Sequence, residues 1–281
     1  MTTPIVERII MVTGATGGLG LATAHGIARH GATVVIVGRS LERTRAAVEQ
    51  IKAESGNPRV DFLVADLSVQ SEIRRVAAEF QERYAQLHVL VNNVGGIFIN
   101  GQVSADGIEM TLALNHLGTY LLTRSLYNLL KSSTPSRIVN VSSLAHLGAR
   151  IDNWDLQFSG WKGYKRSKLA NILFTYELAR RSEGTGITVN ALSPGLVRSN
   201  FGLNNRGPYP LIKPMVDWFA VSNAKGAETS IYLACSPDVE GVTGKYFTRC
   251  RPRRSSAASY DQNAAARLWD VSARMTGLAA D

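Results

Sequence analysis

The chain has 281 residues, enough for one large α/β domain or two small ones. Its composition, 45% hydrophobic with 25 glycines and only Cys235 and Cys250, supports an ordinary core, excludes a disulfide framework and suits a reducing compartment. The formal net charge of +9 invites an anionic partner, yet Arg74, Arg75, Arg180 and Arg181 scatter over expected helix faces, so no nucleic acid is expected.

No run of eighteen or more apolar residues exists, so no membrane span is expected. Residues 1–7 lack a basic-then-apolar signal pattern, and the expected location is cytoplasmic.

In chain order, residues 8–13 form a short apolar run of the kind found in a fully buried parallel strand. A glycine-rich turn (14–20) and a helix (21–29) follow. Residues 32–37, 60–65 and 87–92 predict three further strands, separated by helices over 41–54 and 69–84. Strands alternating with helices at this spacing predict a parallel, doubly wound sheet with right-handed crossovers. Further strands are expected at 138–143, 186–192 and 245–248, with helices over 225–234 and, on the surface, over 264–275.

The turn between the first strand and first helix reads Gly14-x-x-x-Gly18-x-Gly20. Glycines there let backbone approach a pyrophosphate, and the helix start supplies free N–H groups and partial positive charge. At the end of the second strand an acidic residue would bind an unmodified adenosine ribose, but this chain has Arg39, with Arg43 one turn further on. A guanidinium fork suits a phosphate, so Arg39 is read as the main contact for a 2′-phosphate and Arg43 as a second.

Tyr164 and Lys168, four residues apart, share one helix face. An ammonium near a phenol favours the phenolate, so the Tyr164 pKa is expected to fall toward neutral, where it can exchange a proton with an alcohol or carbonyl oxygen.

Together these motifs resemble the short-chain dehydrogenase/reductase family over nearly the whole chain. Thr13, Gly14, Thr16, Gly18, Leu19 and Gly20 resemble its cofactor signature, and Asp66-Leu67 its adenine-contacting pair. Asn92-Asn93-Val94-Gly95 resembles the segment ending the fourth strand, with valine where alanine is common; Asn93 and Gly95 are its expected cofactor contacts. Asn115 and Ser143 occupy the positions of the catalytic asparagine and serine. Pro194, Gly195, Val197 and Ser199 follow the sixth strand, where the family borders the nicotinamide. The segment 144–163 and the tail motifs at 244–250 and 268–272 are similar to the retinol-dehydrogenase-like branch, related to WW-domain oxidoreductase and protochlorophyllide reductase; Arg249 departs from an acidic residue common there.

The resemblance implies a single Rossmann-fold domain over residues 1–281, with a seven-stranded sheet, a substrate loop near 196–224 and a C-terminal surface segment near 250–281. It implies a nicotinamide dinucleotide, read as NADP(H) from Arg39 and Arg43, as cofactor, and a small carbonyl or alcohol as substrate. In that scheme Tyr164 delivers a proton, Ser143 holds the substrate oxygen, and Lys168 tunes Tyr164 and binds the nicotinamide ribose. Asn115 anchors a water for proton resupply. The family often pairs through helices corresponding to 112–130 and 164–180, so a homo-oligomer is open.

Phe98, Trp154, Phe158, Trp161, Phe201, Tyr209 and Trp218 read either as an apolar pocket wall or as packing. The histidines (His25, His30, His88, His116, His146) show no metal-ligand spacing, and no metal is expected; His146 reads as a packing residue rather than a pocket wall. Two rival functions are a sugar-nucleotide epimerase or dehydratase, which would need a larger C-terminal substrate domain, and an NADP-sensing scaffold without turnover, which would not need all four catalytic side chains.

Overall fold

A computed structural model describes residues 3–98, 100–151, 160–197 and 220–280. The strands are β1 (Ile9–Thr13), β2 (Thr33–Gly38), β3 (Val60–Val64), β4 (Val89–Asn92), β5 (Ser136–Val141), β6 (Ile187–Ser193), β7 (Lys245–Thr248) and β8 (Arg251–Arg253). They form one sheet in the order β3-β2-β1-β4-β5-β6-β7-β8. Pairing is parallel through β7, whereas β8 returns antiparallel with Thr248 opposite Arg251.

The sheet therefore has eight strands, not the expected seven. The extra strand, Arg251-Pro252-Arg253, has no apolar alternation to announce it, and proline is tolerated there because the strand is an edge. Arg249 and Cys250 join β7 to β8 with φ of 50° and 57°, the left-handed conformation that a two-residue hairpin turn demands.

The main helices are α1 (Gly18–Arg29), α2 (Leu41–Ser55) and α3 (Gln70–Arg83). Next comes α4, which runs through Met110–Leu112, a π turn at Ala113–Leu117 and Gly118–Ser125. It is followed by α5 (Tyr127–Ser132), α6 (Gly160–Arg181), α7 (Asn223–Cys235) and α8 (Gln262–Met275). Short polar residues start several of them. Ser40, Ser222 and Asp261 accept hydrogen bonds from Arg43 N (3.4 Å), Lys225 N (3.2 Å) and Ala264 N (3.0 Å). Gly56, with φ of 71°, ends α2 in a left-handed cap.

Successive strand residues point to opposite faces, so the continuous apolar runs divide into two cores. Met11, Val35 and Leu63 pack with Phe80, Tyr120, Phe174 and Trp269 beneath α3, α4, α6 and α8. Ile10, Val12, Val34 and Ile36 pack with Ile27, Val48, Ile51 and Leu233 beneath α1, α2 and α7.

The last helix is more than a surface segment. Its apolar stripe buries Leu268, Trp269 and Val271, and Leu268 and Val271 meet Leu112, Leu117, Leu169 and Leu173 of α4 and α6. Every residue of α6 from Ser167 to Ala179 is buried within the single chain.

Strand order reverses between β1 and β4, which opens a crevice at their carboxyl ends. Among the described residues no helix is long and apolar enough to cross a membrane.

Candidate active site

The crevice is built where β1 passes into α1. Gly14 and Gly18 take φ of 66° and 55°, and Gly17 precedes α1 with no side-chain cap. The first N–H groups of α1 therefore lie open to a ligand. Gly20 is dictated by close approach: a Cβ there would overlap Gly14 O and lie 2.5 Å from Asn93 Nδ2. Asn93 in turn laces β4 to β1, donating from Nδ2 to Thr13 O (2.8 Å) and Gly14 O (3.3 Å). Thr13 Oγ1 accepts from Asn93 N (3.0 Å) and Val94 N (3.1 Å), which holds the turn and strand ends as one unit.

At one side of the turn, a Cβ on Gly38 would overlap Thr16 Cγ2, so Thr16 closes over the end of β2. Arg39 follows, exposed. Arg43 is also exposed and brings Nη2 within 4.0 Å of the Cβ position of Gly17, over the glycine turn. Arg43 thus reaches the glycine turn, while Arg39 is placed only by its position just after β2. Asp66 Oδ1 accepts from Ser68 N (2.9 Å) and Ser68 Oγ (2.7 Å), which orients the carboxylate after β3. Leu67 is buried with its carbonyl against Gly118.

The residues expected to be catalytic gather across the crevice. Ser142 Oγ donates to Lys168 O (2.7 Å), and Lys168 Nζ donates to Val141 O (3.0 Å), so β5 and α6 hold each other at the site. Ser143 begins a short turn in which its Oγ accepts from Ala145 N (3.1 Å). With that lone pair occupied, the hydroxyl is left to serve the Tyr164 phenol, to which it is hydrogen-bonded. Lys168 Nζ lies 5.8 Å from the centroid of the Tyr164 ring. Trp161, 58% exposed, stacks on the same ring at 5.5 Å and 28°.

Asn115 sits in the π turn of α4. Its Oδ1 accepts from Gly96 N (2.8 Å), and its Nδ2 donates to Gly96 O (2.8 Å) and Ser167 Oγ (3.0 Å). It clamps the end of β4 to α6 between Tyr164 and Lys168. Gly95 leaves an opening beside it: a Cβ there would lie 3.2 Å from Lys168 Nζ and 3.4 Å from Asn115 Oδ1.

One expectation is reversed. Among the described residues burial dominates and pushes the Tyr164 pKa up to about 12, with the Ser143 hydrogen bond pulling it the other way. Lys168 is buried in the same setting, and burial drives its own pKa down to about 8. Both charged forms are penalised by the same low-dielectric setting.

The far wall comes from β6 and α7. Ser193 Oγ accepts from Gly195 N (3.3 Å) and Leu144 N (3.1 Å), tying the Pro194-Gly195 turn to the loop that carries Ser143. Gly226 of α7 admits Val197 and Leu19 closely: a Cβ there would lie 2.6 Å from Val197 Cγ2 and 3.3 Å from Leu19 Cδ1. Sequence reasoning missed Ser193 and Gly226, because a serine in a strand and a glycine in a helix carry no signal until the neighbouring element is known. Ser199, Phe201, Tyr209, Trp218, Trp154 and Phe158 lie outside the described residues. Phe98 is buried and its carbonyl accepts from Gly160 N (3.3 Å).

His146, three residues after Ser143, is fully buried. His25 lies 3.9 Å from Glu54, a paired carboxylate the sequence did not reveal. No cluster of metal-ligating side chains occurs among the described residues. A separate concavity of about 740 Å³ opens at the opposite ends of β5 and β6, beside Arg137, Tyr176 and Thr188, and contains none of these site residues.

The dinucleotide fit rests on the open α1 start, on Gly95, where a Cβ would crowd Lys168 Nζ and Asn115 Oδ1, and on the buried Asn93 Oδ1, which has no partner among the described residues. Residues 8–207 match the family model for short chain dehydrogenase. Retinol dehydrogenase 14 of Mus musculus is 42% identical over 289 aligned positions, covering 96% of this chain and 86% of the relative. Human retinol dehydrogenase 11 is 38% identical over 284 positions, covering 100% and 89%. An uncharacterized protein from Mycobacterium Paratuberculosis superimposes with a TM-score of 0.76 at 30% identity, covering 98% of this chain and 95% of that one. A variant of actinorhodin polyketide ketoreductase with NADPH gives a TM-score of 0.69 at 25% identity, covering 94% and 100%. With the Rossmann sheet and the crevice already in place, these likenesses make the chain a member of the short-chain dehydrogenase/reductase family, on its retinol-dehydrogenase-like side.

Proposed function

We propose that the protein is an NADP(H)-dependent oxidoreductase that interconverts a carbonyl (aldehyde, ketone or quinone) and an alcohol, with Tyr164 as acid and base. The observation that carries this reading is the hydrogen-bonded Ser143–Tyr164 pair with Lys168 behind the phenol, set across from the open N-terminus of α1. The relatives named retinol dehydrogenase and the NADPH-bound ketoreductase support it.

The nicotinamide supplies the hydride. Thr13, Gly14, Thr16, Gly18, Leu19 and Gly20 would hold the pyrophosphate side, Asp66 and Leu67 the adenine, and Asn93, Gly95, Lys168, Pro194, Gly195 and Val197 the nicotinamide side. Arg39 and Arg43 would bind the 2′-phosphate. Ser143 orients the substrate oxygen, and Tyr164 gives its proton to that oxygen in reduction and takes it back in oxidation. Lys168 becomes fully charged when anionic groups enter the crevice, and its ammonium then draws the phenol down from about 12. Asn115 fixes the spacing between β4 and α6 that keeps Lys168 in reach of this pair.

The test is NADPH absorbance decay with a panel of aldehydes, ketones and quinones. Tyr164→Phe is expected to lower turnover by about 10²–10⁴ while NADPH still binds. NADPH binding without turnover on any carbonyl would favour the silent-sensor reading instead.

A further inference from the structure

His146 carries two hydrogen bonds that leave it only one tautomer. Its Nε2 lies 3.1 Å from Ser256 N, a backbone N–H that can only donate, so Nε2 bears no proton. Its Nδ1 lies 2.7 Å from Ser143 O, which can only accept, so Nδ1 bears the proton. The ring is 0% exposed and meets Tyr246 edge-on at 5.0 Å. The backbone N–H of His146 reaches the same Ser143 carbonyl at 3.2 Å. One residue therefore grips the Ser143 peptide twice, while the segment after β8 grips the residue.

We propose that His146, held as the Nδ1–H tautomer by Ser256, is a positioning residue that fixes the Ser143 peptide and so aims the Ser143 hydroxyl at Tyr164. This rests on the reading of Ser143 as the serine that orients substrate. Ser143 Oγ turns on a Cα whose peptide plane the imidazole holds, and Ala145 N fixes the hydroxyl's lone pair from the other side. Freed of the imidazole, the peptide plane can rotate and carry the hydroxyl away from the phenol. The loop residues 255–260 are themselves tied together, with Ser255 Oγ against Tyr176 OH (2.7 Å) and Ser259 Oγ (2.6 Å), so the grip is anchored on α6 as well.

Two substitutions separate the halves of the imidazole. His146→Asn places its amide nitrogen where Nδ1 lies and keeps the donor to Ser143 O. His146→Gln reaches the Nε2 position and keeps the acceptor for Ser256 N. With NADPH and nitrobenzaldehyde as probes, His146→Gln is expected to lower kcat by roughly 10- to 100-fold, with KM for NADPH little changed. His146→Asn should restore most of that loss. Ser256→Pro removes the N–H donor together with a hydroxyl that has no hydrogen-bond partner among the described residues, and the φ of −64° at Ser256 accepts a proline ring. It should lower Tm yet keep kcat within about threefold of the parent, since the Ser143 contact survives. In the parent protein, ¹⁵N spectra of the imidazole should show the Nδ1–H form.

Equal losses for His146→Asn and His146→Gln, or an active Gln variant beside an inactive Asn variant, would overturn the proposal and leave His146 a staple for the loop. A protonated Nε2 in the spectra would overturn it as well. If His146→Gln does not fold, a folded His146→Asn or Ser256→Pro that has lost turnover overturns it. Ser143→Ala separates the two readings: full turnover there removes the role of Ser143 itself, whereas loss there with normal kcat in His146→Gln removes only the role of His146.

Discussion

At the scale of single residues, the site sets a buried lysine beside a buried phenol, with exposed arginines on the strand-β2 side. Lys168 is 4% exposed with a pKa of about 8, so it is partly neutral just above that pH. An anionic ligand beside it favours the ammonium and raises that pKa. Binding of NADPH at pH 8.5 is therefore expected to take up roughly half a proton or more, seen by titration calorimetry in two buffers of different ionisation enthalpy. Lys168→Met should abolish the uptake; uptake that persists in the variant would place the proton elsewhere. Arg39 and Arg43 make a second residue-scale case. Charge-assisted contacts to a 2′-phosphate are worth about 1.5–3 kcal/mol, or roughly ten- to a hundred-fold in affinity. The parent should prefer NADPH over NADH in kcat/KM, and Arg39→Asp should erase or reverse that preference. A parent that prefers NADH would mean that Arg39 serves only solvent.

At the scale of elements, the turns carry the strain. Arg249 and Cys250 both take positive φ, a conformation costly for residues with a Cβ, yet they make the hairpin that adds β8 to the sheet. Replacing the pair by Asn-Gly is expected to stabilise the protein by about 0.5–1 kcal/mol, read as a shift in urea midpoint at constant slope. The glycine turn before α1 behaves oppositely. Gly20→Ala would drive a methyl carbon into Gly14 O, so the turn must move. NADPH affinity should collapse, while far-UV dichroism keeps the helical signal of the remaining elements. Unchanged affinity would show that the turn does not approach the cofactor.

At the scale of the molecule, α8 joins α4 and α6 into one layer. His116 of α4 contacts Ser272 Oγ of α8 at 2.8 Å and faces Asn171 of α6, and burial drives its pKa down to about 4. That value lies below the ordinary 6.5 of an unfolded histidine, so the unfolded chain binds more protons between the two. The stability is complete above about pH 6.5 and is lost as pH falls toward 4, by at most roughly 3 kcal/mol. His88 and His146, also lowered by burial, act in the same direction. The urea midpoint should fall between pH 7 and pH 5, and His116→Gln should shrink that difference. The same layer bears on assembly. Because α8 covers α4 and every residue of α6 from Ser167 to Ala179 is buried, the faces implied for pairing are already used within one chain. A monomer is expected by light scattering; a dimer lost on mutating exposed residues of α4 or α6 would contradict it.

Asn115 and Ser143 were read from the family resemblance, whereas the order of strands and helices, the glycine turn and the Tyr164–Lys168 pair were legible in the local sequence. Each depends on local spacing: apolar runs of strand length, glycines at a strand-to-helix junction, a tyrosine and lysine one helical turn apart. Tertiary structure alone decided the rest. The eighth strand depends on a left-handed Arg249-Cys250 turn and a proline on an edge, neither of which has a sequence period. The last helix became core because α4 and α6 offered it an apolar groove. The Tyr164 pKa rose instead of falling, because burial is a property of everything packed around a side chain, not of the lysine four residues away. His146, which bonds the Ser143 carbonyl, is itself met by Ser256 N, 110 residues further along the chain, and no local pattern can record a contact that only folding creates.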